Sequence, residues 1–150
     1  MYEPGNIIYF TPFYFPDGGS CKPKYFIILI VDDESSMVAC LPTRNDCVPN
    51  IVNKKHGCLN DDSINFNCYF IEQGKAITNN GFSFPMDTHI YGERVAIFNK
   101  KIFDSIYIVE NVDYKILGKL LDSEYGKIID CFKNSKSTKR GIRRKLGANI

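Results

Sequence analysis

The chain has 150 residues, of which 44% are hydrophobic and 24% are charged, and its formal net charge is +2. This length and composition are typical of one globular domain and argue against a disordered chain or several domains. The apolar runs are much too short to cross a bilayer, so no membrane segment is expected.

Most of the predicted elements are short β-strands. The first covers residues 5–10. Residues 25–31 form a short apolar run rich in isoleucine, which is typical of a strand buried on both faces. A polar turn cluster at 32–36 separates this run from a return strand at 37–41. The sequence therefore predicts an antiparallel β-hairpin.

The second half of the chain predicts further short strands and one helix. Tyr125, Ile128, Ile129 and Phe132 recur at helical spacing and predict a helix over 123–132 with one apolar face. Short strands or extended segments are predicted near 51–52 and at 68–77, 82–84, 88–91, 93–98 and 106–109, with a turn or one helical turn at 99–105. We therefore expect a mainly β fold, a barrel-like domain with one C-terminal helix.

Polar residues flank both strands of the predicted hairpin. Lys22 and Lys24 precede the first strand, and Thr43 and Arg44 follow the second. An antiparallel pair brings these ends together, so two lysines, an arginine and a hydroxyl should share one small region on a buried scaffold. The aromatic residues at 13–15, in the loop before this hairpin, either pack on the core or offer a stacking surface for bases.

The charge is distributed unevenly along the chain. Of the 19 lysines and arginines, seven lie after residue 132, where no acidic residue occurs. The other 12 basic residues and all 17 acidic residues lie before that point. We therefore divide the chain into a domain at 1–132 and a basic C-terminal tail at 133–150. The tail either binds an anionic partner, such as nucleic acid, or is a solvated end, and its removal is expected to cost little stability.

The six cysteines include no CxxC pair. Because the N-terminus lacks a basic and apolar leader, we expect a cytoplasmic protein with reduced cysteines. No cofactor is expected. Zinc is the alternative, since Cys47, His56, Cys58 and Cys68 fall in one loop-rich stretch, although an HxC pair is not a usual zinc pattern.

His56 and His89 are reserve candidates for acid–base chemistry, because no other side chain titrates near neutrality.

Several short motifs, taken in chain order, resemble the MazF/PemK-type toxins of bacterial toxin–antitoxin systems. The resemblance covers about Gly5 to Phe132. The matching segments are GNIIY at 5–9, Lys22-Pro23 before the apolar run, LPTRN at 41–45, EQGKAI at 72–77, GKL at 118–120 and Ser123-Glu124 at the helix start. The chain has Lys22 where the family has arginine and Glu72 where it has aspartate, and the residues at 79–91 have no counterpart in the family pattern.

The resemblance implies an SH3-like, PemK-like barrel with a helix, which is usually a homodimer. It also implies metal-independent cleavage of single-stranded RNA, in which the ribose 2′-hydroxyl attacks its own 3′ phosphate. The antitoxin partner of such proteins wraps the toxin with an acidic, partly disordered tail.

The same resemblance assigns roles to individual residues. Lys22 is expected to stabilise the phosphorane, or to act as a base if it is desolvated, and Thr43 to orient the phosphate or the 2′-hydroxyl. Arg44 is expected to hold a flanking phosphate. Lys24, Glu72, Gln73 and Lys75 are also expected to bind RNA. Arg140, Arg143 and Arg144 are expected to bind it because they belong to the basic tail, which has no counterpart in the family pattern.

Two alternatives to a ribonuclease share the expected fold. One is a binding module without catalytic activity, whose tail engages nucleic acid or a protein. The other is a gyrase poison of the related CcdB type, which acts on a protein target, although the chain has no tryptophan of the kind that such a poison uses at its C-terminal end.

Overall fold

The computed structural model of the chain describes residues 1–32 and 35–148. The predicted turn at 32–36 includes residues 33 and 34, which lie outside the described residues. In chain order the elements are β1 (Asn6–Phe13), β2 (Lys22–Val31), β3 (Ser36–Cys40), β4 (Gly57–Asp61), β5 (Phe66–Ile71), β6 (Thr88–Tyr91), β7 (Ala96–Asn99), α1 (Lys100–Ile106), β8 (Tyr114–Lys119), α2 (Asp122–Lys133) and α3 (Arg140–Ala148). Strands hold 36% of the residues and helices 23%, so the predicted mainly β class is confirmed.

The larger of two sheets contains five antiparallel strands in the order β7-β3-β2-β1-β8. The predicted hairpin forms its centre and is confirmed. Ile27 lies opposite Cys40 and Val31 opposite Met37, with an irregularity between Ile28 and Ile30. The central position of β2 explains its apolar sequence, because neither of its faces reaches solvent over residues 26–30.

The two faces of the large sheet are covered by different cores. Ile27 and Leu29 point into a core that includes residues of the second sheet, α2 and α3. Phe26 and Ile28 point the opposite way, into an aromatic cluster completed by Phe103 of α1. Alternate residues of one strand therefore stabilise two separate cores.

The second sheet is antiparallel and contains three strands in the order β4-β5-β6. Two isolated bridges join it and its following turn to the large sheet: Thr43, after β3, pairs with His89 of β6, and Thr78 pairs with Leu120 after β8. The strands of the described residues thus form two linked sheets, and the predicted barrel is not closed.

The helices differ in number from the prediction of one C-terminal helix. The predicted helix is confirmed as α2, whose Ile128, Ile129 and Phe132 are buried. However, residues 99–105, expected to form a turn or one helical turn, belong largely to the seven-residue helix α1, and α3 forms within the basic tail. The short strands expected near 51–52 and at 106–109 are absent from the described residues, and β4 and β8 were not predicted. The segment at 82–84, expected as a short strand or an extended segment, contains no strand.

The basic tail is packed against the domain. Ile142 and Leu146 of α3 are buried in the core shared with α2, and Lys145 lies 3.5 Å from the Asp32 carboxylate. The expectation of a solvated end that can be removed at little cost is therefore wrong for residues 133–148. Arg140 and Arg144 remain exposed on the opposite face of α3, whereas Arg143 is half-buried.

Two of the six cysteines are joined, which corrects the expectation that all are reduced. Cys58 of β4 and Cys131 of α2 form a disulfide, with their Cα atoms 5.5 Å apart. Cys58 is therefore not available for the zinc alternative, and no group of three metal-ligating side chains occurs within residues 1–32 and 35–148.

The cytoplasmic location stays a prediction. No helix among the described residues is long and apolar enough to span a membrane.

The packing of α3 makes a prediction about stability. Leu146→Ala should lower the free energy of unfolding by about 2–5 kcal/mol, because it removes a fully buried side chain from the core. Arg144→Ala, on the exposed face of the same helix, should change it by less than about 0.5 kcal/mol. Urea unfolding monitored by circular dichroism measures both. Equal stability of the two variants would show that α3 is not docked.

Candidate functional site

A cleft of about 370 Å³ opens where β2 begins. It brings together Lys22, Lys24, Thr43 and Arg44, the four residues that the hairpin was expected to cluster. The register explains this, because β3 ends opposite Ile27 and the chain then continues alongside the start of β2. The remaining wall is formed by Tyr9, Pro23, Tyr25, Pro42, Asn45, Pro85, Met86 and Thr88.

Sequence reasoning missed much of this wall. Pro85, Met86 and Thr88 belong to the segment at 79–91 that had no counterpart in the family pattern, and it supplies the side of the cleft that faces β2. Tyr9 packs on Tyr25 with ring centroids 4.9 Å apart. No pattern in the sequence places residues 85–88 against β2, because their approach depends on how the second sheet folds back.

The cleft gathers positive charge without compensating acids. No aspartate or glutamate is among the described residues that line it. The two acids adjacent to the wall are engaged elsewhere: Asp46 accepts from Lys54 Nζ at 2.7 Å, and Asp87 accepts from the Gln73 N–H at 2.9 Å. Such a concentration of cations, with no carboxylate partner among the described residues, favours an anionic ligand.

The three cations differ in their surroundings. Lys22 is exposed, with its Nζ 5.9 Å from the ring centre of Phe15, and the exposed Arg44 contacts Met86 Sδ at 3.8 Å. Lys24 is half-buried, and burial is the main cause of a lowered pKa, followed by the nearby charges of Lys22 and Arg94. Lys24 is therefore the partly desolvated lysine of the cleft, whereas the sequence analysis considered desolvation for Lys22.

Thr43 is held so that its hydroxyl remains available. Its backbone N–H donates to His89 O at 2.9 Å, and its carbonyl accepts from the His89 N–H at 2.7 Å. The hydroxyl oxygen accepts from the Asn45 N–H at 3.1 Å. Since a threonine hydroxyl is both donor and acceptor, its proton is free to donate to a ligand oxygen.

The segment after Thr43 is fastened to β6 by two buried aromatic residues. Tyr91 donates its hydroxyl proton to Asn45 O at 2.6 Å and accepts from the Cys47 N–H at 2.7 Å. His89, only 1% exposed, stacks on Tyr91 with its Nδ1 3.2 Å from Thr43 O. These contacts fix the backbone that carries Thr43 and Arg44, and they give His89 a positioning role in place of a catalytic one.

The other reserve histidine lies outside the cleft. His56 Nε2 is 2.6 Å from Glu124 Oε1, which also accepts from the Tyr69 hydroxyl at 2.9 Å. His56 Nδ1 accepts from the Glu72 N–H at 3.1 Å, so the ring proton is on Nε2 and is donated to Glu124. This buried network links β5 and α2 to the segment before β4, and its members are far apart in sequence.

The remaining residues expected to bind RNA do not line the cleft. Glu72, Gln73 and Lys75 form an exposed turn after β5, closed by the bond from the Lys75 N–H to Glu72 O at 3.2 Å. Arg140, Arg143 and Arg144 belong to α3, which contacts α2 and β2. Lys145, near the end of α3, reaches Asp32, which directly follows the C-terminal end of β2, whereas the cleft lies at the N-terminal end of that strand.

Comparison of the chain with protein-family models, with curated protein sequences and with solved structures finds no match.

The burial of His89 makes a prediction about pH. Its pKa is lowered, first by burial and next by Lys54, with smaller opposite effects from Thr43, Asp46 and Asp87. The unfolded chain therefore binds a proton at this ring more readily than the native protein, and stability falls as pH drops below about 6.5. His89→Asn, which keeps an N–H donor but does not titrate, should reduce this loss.

Urea midpoints at pH 7.5 and pH 5 measure the effect in both proteins. The same difference between the two midpoints in the native chain and in His89→Asn would contradict the assignment to His89.

Proposed function

We propose that the protein is a metal-independent endoribonuclease that cleaves single-stranded RNA in the cation-lined cleft. The observation that carries the proposal is the meeting of Lys22, Lys24, Thr43 and Arg44 in one concave site, with no carboxylate among the described residues that line it. Cations and a hydroxyl donor are the groups needed to hold a phosphodiester and to stabilise its transition state.

The chemistry follows from where these groups lie. The 2′-oxygen attacks the adjacent phosphorus, the bond from phosphorus to the 5′-oxygen breaks, and a 2′,3′-cyclic phosphate and a 5′-hydroxyl result. Lys22 and Arg44 stabilise the added negative charge of the phosphorane from the exposed side of the cleft. Thr43 donates its hydroxyl proton to a non-bridging phosphate oxygen. Tyr9 and Tyr25 provide aromatic surface for an adjacent unpaired base.

We include in this proposal that the fold is an opened SH3-like barrel of the MazF/PemK kind. The bridges from Thr43 to His89 and from Thr78 to Leu120 support it, because they join the two sheets on both sides of the shared core. The homodimer and the antitoxin with an acidic tail remain predictions of the resemblance. A run of exposed apolar side chains supports the dimer, and it consists of Ile97, Ile102, Ile106, Ile108, Val109 and Val112.

A binding module without catalysis is the second candidate. Lys22 favours it, because lysine is a point charge and lacks the bidentate fork of the arginine found in the family. The exposed Arg140 and Arg144 of α3 also favour binding, since a fixed basic helix face attracts a polyanion whether or not a reaction follows.

The first test is cleavage of single-stranded RNA in the presence of EDTA. The native chain should release products ending in a 2′,3′-cyclic phosphate, and an RNA with 2′-O-methyl groups should stay intact. Lys22→Ala and Arg44→Ala should each slow cleavage about a hundredfold, because each removes a cation from the transition state. Lys101→Ala, an exposed lysine on α1, should leave the rate unchanged. Mass spectrometry of the products measures the chemistry.

Absence of cleavage by the native chain, together with harmless expression in bacteria, would rule out the enzyme. Binding of the 2′-O-methyl RNA under the same conditions would then support the binding module.

The second test concerns α3. Arg140→Ala combined with Arg144→Ala should lower the slope of log affinity against log salt for single-stranded RNA by about 0.7 for each phosphate that these arginines neutralise. Lys101→Ala combined with Lys127→Ala removes the same charge from exposed positions on α1 and α2 and should leave the slope unchanged. Fluorescence anisotropy across a salt series measures both. Identical slopes in the two double variants would show that α3 makes no specific contact with RNA.

A further inference from the structure

Lys24 is held differently from the other cations of the cleft. It lies opposite the fully buried Phe10 of β1, and it shares its side of β2 with Phe26. Its position is therefore at the edge of the aromatic core, where the ammonium group is partly removed from water. Within residues 1–32 and 35–148, Lys24 has no ion pair with a carboxylate, unlike Lys54, whose partner is Asp46.

The charges that face Lys24 are of its own sign. Lys22 lies two residues away on the same strand, and Arg94 lies just after β6. Burial and the like charges of Lys22 and Arg94 lower the pKa of Lys24, so its neutral amine is more accessible than that of an ordinary surface lysine.

We propose that Lys24 is the general base of the cleft and removes the proton from the ribose 2′-hydroxyl. The proposal rests on the ribonuclease function above. The neutral amine accepts the 2′ proton as the bond from the 2′-oxygen to phosphorus forms and the bond to the 5′-oxygen breaks. The 5′-oxygen takes its proton from water in the open cleft. Lys24 then returns its extra proton to solvent, so the reaction consumes no other reagent.

The other titratable groups are less suited to this role. His89 is buried, and its Nδ1 contacts Thr43 O. His56 bonds Glu124 and the Glu72 N–H outside the cleft. Burial raises the pKa of Tyr25, which makes its phenolate rarer. Lys22 and Arg44 are exposed cations suited to holding charge, whereas Lys24 is the half-buried lysine of the cleft.

The variant Lys24→Arg distinguishes the role of a general base from that of a positive charge, because arginine keeps the charge but does not lose its proton. This variant should cleave RNA about a hundredfold to ten-thousandfold more slowly than the native chain. Its affinity for the 2′-O-methyl RNA should stay within about twofold, since the charge remains. Lys101→Arg, the same exchange at an exposed position on α1 outside the cleft, is the matched control, and its rate should be unchanged.

The pH profile gives a readout that a structural role would not change. Cleavage by the native chain should rise with pH and level off below the ordinary lysine value of about 10.5, and Lys24→Arg should lose this rise. If Lys24→Arg does not fold, Lys24→Ala replaces it, and added methylamine should restore its cleavage. Cleavage that methylamine does not restore would overturn the role of base.

The outcomes distinguish this inference from the function on which it rests. A native chain that cuts no RNA overturns both. A native chain that cuts RNA, with Lys24→Arg equally active and with the same pH profile, overturns the base and leaves the ribonuclease standing. Loss of affinity in Lys24→Arg equal to its loss of rate would make Lys24 a binding residue and would also overturn the proposal.

Discussion

The whole architecture depends on the burial of β2 on both faces. Its backbone is paired on both sides by β1 and β3, while Phe26 and Ile28 enter one core and Ile27 and Leu29 the other. A strand held in this way has little freedom to shift, because moving it by one residue would exchange the side chains of both cores. The first residues of this rigid strand, Lys22–Tyr25, lie outside its fully buried part, and their two lysines line the cleft.

The second wall of the cleft is held by a separate constraint. The segment from Thr43 to Cys47 is not part of a regular strand, yet it is fastened to β6 by backbone bonds to His89 and by the hydroxyl of Tyr91. The same contacts join the two sheets, so the positions of Thr43 and Arg44 depend on the relative placement of the sheets. The geometry of the site is consequently set by the fold itself.

The parts of this structure that the sequence predicts are those with local signals. The hairpin and α2 have strong apolar patterns, and the clustering of Lys22 with Thr43 follows from the hairpin alone. By contrast, β4 buries only Leu59 and so has no alternation to detect. Ile142 and Leu146, which are buried on α3, are spaced by one helical turn, but the cations around them make this apolar pattern difficult to recognise in the sequence. The wall at 85–88 and the contact of Glu124 with His56 depend on tertiary approach, for which a single sequence gives no pattern.

The bond between Cys58 and Cys131 closes a loop that holds β5 to β8 and α1. A protease that cuts the exposed stretch around Ile108 and Val112 would therefore produce two pieces that stay covalently attached. All the residues lining the cleft lie in the N-terminal piece, whereas β8, α2 and α3 lie in the C-terminal one. Such a nicked protein would run as one band on a non-reducing gel and as two after reduction, and its cleft would remain supported by both pieces.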